Sequence, residues 1–195
     1  MDERYKGIYE LAKPFLNTRD NEAHTRVAYS FAKILMEAEG GDEGVVLPAI
    51  ILHDVGWKIV PEELQLTAFG PGKNNMAVNR IHEVEGARIA KEILRQLKYD
   101  QALTDQIVEI IMGHDSRKEP VSRNDAIVKD ADKLWRFSQE ALQIDPARFG
   151  IDPKVHTAWL KEQIDDWFIT KTAASIARHE HKLRAESFKD PLGAN

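Results

Sequence analysis

Residues 45–58 read VVLPAIILHDVGWK, and the fold is decided by how this stretch is read. An apolar helical run ends in the adjacent pair His53-Asp54, and Gly56 then opens the chain into a turn. One imidazole and one carboxylate therefore stand where a buried helix ends. Together they suit a divalent ion such as Mn, Fe, Co, Ni or Zn, and adjacency holds both donors on one piece of backbone. A His-Asp dipeptide is common by chance, so the other histidines decide what the pair is for.

Upstream, a helix is expected over about 22–39, closing at Gly40-Gly41 as a helix C-terminus should. Its apolar stripe is Ala23, Val27, Phe31, Ile34 and Leu35, with His24 at the edge. A short helix over 5–16 precedes it and packs as a lid. Downstream, the periodicity fails from 56 to 78, a turn-rich stretch that reads as a substrate-selecting loop with a polar tip at Lys73, Asn74 and Asn75. A helix over about 80–97 follows, with Ile81, Val84, Ala87, Ala90, Leu94 and Leu97 on its apolar side and His82 near its first turn.

Leu103, Ile107, Ile110 and Ile111 step at helical spacing, and His114 is the next member of that stripe. In a helix over about 125–138, Asp130 falls among Ile127, Ala131 and Leu134, and a carboxylate there needs a cation or a hydrogen-bond network. Helices over 138–144, 152–169 and 171–188 complete an all-α chain of about seven to nine helices. No run of alternating residues is long enough for a sheet. The whole of 1–195 reads as a single domain, with a core at about 20–140 and a helical C-terminal extension over about 141–195.

The composition agrees: 43% hydrophobic and 30% charged residues describe a globular protein. With 27 basic against 32 acidic residues there is no cationic excess to neutralise a duplex, so duplex nucleic acid is not expected as a partner. Cysteine is absent, so thiolate sites and thiol nucleophiles are excluded and any metal must be held through N and O. The apolar run before His53 is too short to span a bilayer, and the expected setting is the cytoplasm.

His24, then His53-Asp54, then Asp130, on successive helices and within AHTRVA, ILHDVGW and IVKDADKLW, resemble the H…HD…D signature of the HD-domain superfamily of metal-dependent phosphohydrolases. With His82 and His114 between the pair and the last Asp, the chain is similar to the binuclear branch. The resemblance implies that His24, His53, Asp54 and Asp130 hold one ion, and that Asp54 bridges to a second held by His82 and His114. Two cations about 3.5 to 4 Å apart can activate a water, neutralise a phosphate and align attacking and leaving oxygens. The implied activity is hydrolysis of a phosphoester or phosphoanhydride in a small phosphorylated substrate, a nucleotide by expectation, with one or two divalent transition metals as cofactor.

Asp54 and Lys58 are the catalytic candidates. Lys58, Lys73, Arg117 and Lys133 are the candidates for binding substrate charge, with Lys118 beside them. The cyclic-dinucleotide members carry Lys directly after the Gly and a GYP motif downstream; here Trp57 separates Gly56 from Lys58 and no GYP is present. Two alternatives share the scaffold: a diiron oxygenase resembling inositol oxygenase, and a non-catalytic nucleotide-sensing module. His156, His179 and His181 are expected in structural or solvated roles. The charged helix over 177–190 reads as a solvated face or a homodimer surface.

Overall fold

The structure, a computed structural model, describes residues 1–72 and 75–188. Among these are ten α-helices and no strand: α1 (Lys6–Leu16), α2 (Asn21–Glu39), α3 (Glu43–Leu52), α4 (Glu62–Gln65), α5 (Met76–Gln96), α6 (Gln101–Ile111), α7 (Arg123–Leu134), α8 (Gln139–Phe149), α9 (Pro153–Trp167) and α10 (Lys171–Ser187). Short 3-10 turns lie at Glu3–Tyr5, Val55–Ile59 and Trp135–Phe137. The helix beyond the expected nine is the single turn α4, inside the stretch the periodicity left as loop.

The stretch opened above becomes α3, and it is the centre of the bundle. Val45 to Leu52 are all buried, so the helix has no polar side to give solvent. Helices α2, α6 and α7 pack around it and α5 packs on α6. Pro48 lacks the N–H that would bond the Gly44 carbonyl one turn back. That carbonyl instead accepts from the Tyr99 hydroxyl at 2.8 Å, so the proline is tolerated inside the core.

Beyond Asp54 the chain tightens into the Val55–Ile59 turn, which lies directly on α5. Gly56 permits this approach: a Cβ there would overlap the His82 carbonyl oxygen and stand 2.5 Å from the Gly86 amide nitrogen. Gly56 thus seats the His53-Asp54 corner against the helix that carries His82.

Two helix faces are rotated from the expected stripes. On α2 the buried set is His24, Thr25, Ala28, Tyr29, Ala32 and Leu35, while Ile34 is exposed. On α5 it includes Val78, His82, Glu83, Ala87, Ala90 and Leu94, with Ile81, Val84 and Leu97 exposed. The rotation moves His24 and His82 from the edge of a face to its buried middle. Asp145-Pro146 does not end a helix either; both lie inside α8. No helix among the described residues is long and apolar enough to cross a membrane.

Candidate metal centre

Five of the six expected donors meet, and a different aspartate completes the set. His24 comes from α2, His53 and Asp54 from the end of α3, His82 from α5, His114 from the turn after α6, and Asp132 from α7. Their donor atoms form two buried triads, His24-His53-Asp132 and Asp54-His82-His114. Asp130 is absent from both. On a helix, residues two apart point to nearly opposite sides. Asp132 faces α2 and α3, whereas the Asp130 carboxylate accepts the Ile169 and Thr170 amides, both at 2.8 Å, at the start of α10. Asp130 holds a helix in place; it does not reach the histidines.

The donors are spaced as ligands would be. In the first triad His24 Nε2 lies 3.1 Å from His53 Nε2 and 3.0 Å from Asp132 Oδ1, and His53 Nε2 lies 3.4 Å from Asp132 Oδ1. Ligands about 2.1 Å from one ion at right angles would stand about 3.0 Å apart. In the second triad His82 Nε2 and His114 Nε2 are 3.3 Å apart. The Asp54 carboxylate spans the two: its Oδ1 is 3.7 Å from both His53 Nε2 and His114 Nε2, and its Oδ2 is 3.9 Å from His24 Nδ1.

Tautomers sharpen the fit. His53 Nδ1 donates to Ile50 O at 2.8 Å and His114 Nδ1 to Ile111 O at 2.9 Å. With Nδ1 protonated, each neutral ring turns an Nε2 lone pair into the site, the arrangement that orients metal-bound histidines. Lone pairs facing at about 3 Å need a cation or a proton between them. Without metal, protons take that place. Burial lowers His114, yet Asp115 and Asp54 outweigh it and raise its pKa to about 10. Burial also lowers His53, and Asp54 and Asp132 bring it above its ordinary value. Against burial, the surrounding histidines hold both Asp54 and Asp132 well below the carboxylate range.

Several neighbours position these groups. Trp57 donates from Nε1 to Asp54 Oδ1 at 3.0 Å and stacks on His82 at 4.0 Å between centroids. Buried Glu83 accepts the Asp115 and Ser116 amides at 2.9 and 2.7 Å, fixing the turn that carries His114. Buried Lys129 donates to the carbonyls of Gly113, His114 and Arg117 at 2.7 to 2.8 Å, a cation at the C-terminal end of α6. Asp115 adds a carboxylate at the edge, its Oδ2 3.3 Å from His82 Nε2.

Three arginines, Arg19, Arg136 and Arg148, line the mouth of the site beside Asp54, Asp115 and Asp132. Arg19 lies over the Trp57 ring at 4.0 Å and Arg136 over the Phe69 ring at 3.5 Å. Buried Asp145 accepts from Arg148 at 2.9 Å and Arg136 at 3.4 Å, so one carboxylate sets two guanidiniums. Arg148 also donates to the Arg19 carbonyl. Arg19 and Asp20 both hold left-handed backbone, φ 54° and 55°, a strained turn that the Arg148 bond pins.

The expected charge-binding residues lie elsewhere. Lys58 is exposed and outside the mouth. Lys73 lies outside the described residues. Arg117 is engaged with the Glu109 carbonyl and Asp125. Lys118 and Lys133 line a neighbouring cavity. Arg19 stands far in sequence from Arg136 and Arg148, which lie on consecutive elements, and the three follow no spacing rule. Asp115 did carry a signal, a second His-Asp pair in GHDSR. His156 is fully buried and His179 is exposed, while the His181 ring contacts Thr157 O at 3.1 Å.

Comparison with known proteins agrees with this geometry. An uncharacterized protein of Clostridium beijerinckii is 30% identical over 121 residues, 62% of this chain and 66% of the relative, just under two thirds of its length. The fold is similar to the crystal structure of a predicted HD superfamily hydrolase from an uncultured Thermotogales bacterium, with TM-score 0.64 and 20% identity over 96% of this chain and 90% of the other. The family model described as HD domain matches residues 22–136, from the start of α2 to the mouth arginine after Asp132. With both triads inside that span, the chain belongs to the HD-domain superfamily.

Proposed function

We propose that this protein hydrolyses a phosphoester of a small phosphorylated molecule, a nucleotide in the first instance, at a centre where His24, His53 and Asp132 would hold one divalent ion and Asp54, His82 and His114 would hold a second. The observation that carries the reading is the placement of Arg19, Arg136 and Arg148 at the mouth of the two triads. Guanidiniums bind phosphate oxygens through paired donors, and three around one narrow opening favour a group of multiple negative charge.

When bound, the ions supply Lewis acidity toward phosphoryl oxygens and activate water. The chain's own residues do the rest. Arg19 and Arg136, fixed on their ring faces, and Arg148, fixed by Asp145, receive the peripheral phosphate oxygens with little reorganisation. Burial lowers Arg19 to about 10, so it keeps its charge at neutral pH. Trp57 holds Asp54 and His82 in register. In the net reaction the water oxygen forms the new P–O bond, the ester P–O bond breaks, and one proton of the water ends on the leaving oxygen.

The test is purification with metal analysis, then phosphate release from a panel of phosphomonoesters. Divalent transition metal near two ions per chain and metal-dependent phosphate release are expected, both lost in His53→Ala. Turnover that requires O2, or undiminished phosphate release by metal-free protein, would overturn the proposal.

A further inference from the structure

The His-Asp pair that follows α3 occurs again after α6, as His114-Asp115. His53 donates from Nδ1 to the carbonyl three residues back at 2.8 Å, and His114 does the same at 2.9 Å. In each pair the aspartate returns to its own histidine: Asp54 Oδ1 is 3.7 Å from His53 Nε2, and Asp115 Oδ2 is 3.8 Å from His114 Nε2. Asp115 Oδ2 also lies 3.3 Å from His82 Nε2, and the His82 and His114 Nε2 atoms are 3.3 Å apart. Ligands about 2.1 Å from one ion stand about 3.4 Å apart at the tetrahedral angle, so these three atoms suit a common cation. The H…HD…H…H…D set has no place for Asp115.

Two features of the second triad call for a further carboxylate. His82 Nδ1 is buried with no hydrogen-bond partner among the described residues, so this ring lacks the carbonyl that orients His53 and His114 toward a cation. Two divalent ions would also bring four positive charges against the carboxylates of Asp54 and Asp132, beside Arg19, Arg136 and Arg148. Asp115 adds a negative charge at the same mouth. Its backbone is held from both sides: its amide donates to buried Glu83 at 2.9 Å, and buried Lys129 donates to the Gly113 and His114 carbonyls. Its side chain is 28% exposed against 8% for Asp54 and Asp132, which puts the second triad nearer to solvent than the first.

We propose that Asp115 is a further ligand of the second ion, beside His82 and His114, and that it sets this ion's affinity. The second ion is then the exchangeable one of the two, and the ion of the first triad does not depend on Asp115. This rests on the two-ion reading above and adds to it a donor outside its six.

Calorimetric titration of the metal-free full chain with Mn(II) alone reads the assignment without any turnover. The parent is expected to bind two ions in two steps, the second weaker. Loss of a group that merely orients a ligand costs roughly ten- to a hundredfold in metal affinity, so Asp115→Ala should weaken the second step by at least about a hundredfold and leave the first unchanged. Asp115→Glu keeps the carboxylate and should recover part of the loss. The amide bond to Glu83 survives every substitution at this position, and Asp115→Asn, of the same shape, serves if circular dichroism shows Asp115→Ala unfolded. Folded variants that bind both ions like the parent, or that weaken both steps equally, would overturn the assignment and leave the two-ion reading standing. A parent that binds one ion or none would overturn both.

Discussion

Asp130 and Asp132 stand two residues apart in KDAD, and replacing each by alanine should produce opposite phenotypes. In Asp132→Ala, the first triad keeps two imidazoles 3.1 Å apart and loses the carboxylate that faces both. One ion per chain should be lost and phosphate release should fall by at least about a thousandfold, since the charge at the centre of the reaction is removed. Asp130→Ala removes instead two 2.8 Å bonds to backbone amides at the start of α10. Bonds to charged groups contribute about 1.5 to 3 kcal/mol each, or roughly 3 to 6 for the pair.

Part of that is recovered. Burial pushes the Asp130 carboxyl above its ordinary value despite both bonds, so the site favours its charged form less than water does. Ile169 is 40% exposed, so water can reach the freed amide. A net loss of about 2 kcal/mol follows, or roughly 4 to 8 °C in Tm for a chain of this size, with metal content unchanged. Metal per chain by plasma mass spectrometry and melting by calorimetry read both arms. Loss of metal from Asp130→Ala with full retention by Asp132→Ala would refute the assignment.

Metal and pH should be linked in a fixed direction. In the metal-free protein His114 is raised from 6.5 to about 10, so its contribution to stability is fully present below pH 6.5 and is lost as pH rises toward 10. Asp54 and Asp132 are lowered, so theirs is present above about pH 4 and is lost as pH falls below it. Melting of metal-free protein should therefore peak between about pH 4 and 6.5, while metal-loaded protein gains on it with rising pH because the ions displace protons; a gap in Tm independent of pH would contradict this. Gly56→Ala should cost about 3 kcal/mol or more in urea unfolding and weaken metal binding, because backbone must move away from α5 and takes the Trp57–Asp54 bond with it. A folded variant as stable as the parent would show that the turn and helix are not in close contact.

Five of the six central donors were legible because each lies on or beside a helix whose apolar face points to one core. His24 and His82 are both buried even though the stripes beside them were drawn about one position off, with Ile34, Ile81 and Val84 exposed. The error at Asp130 has a plain cause. Both aspartates of KDAD are buried, and apolar neighbours mark burial without saying which element covers the residue. The mouth arginines were invisible for a different reason: Arg19 depends on a left-handed turn, and Arg136 and Arg148 meet only because Asp145 draws them together.

The sequence by itself determined the helical class, the helix that delivers His53 and Asp54 into the core, and the donor types, since with no cysteine only nitrogen and oxygen can bind a cation. Periodicity is a local property and carries that much. The tertiary structure alone decided that Asp132 and not Asp130 joins the histidines, and that Arg19 meets Arg136 and Arg148 at the mouth. Those outcomes depend on which helix packs against which face, and packing is set by contacts between residues far apart in the chain, which no local pattern records.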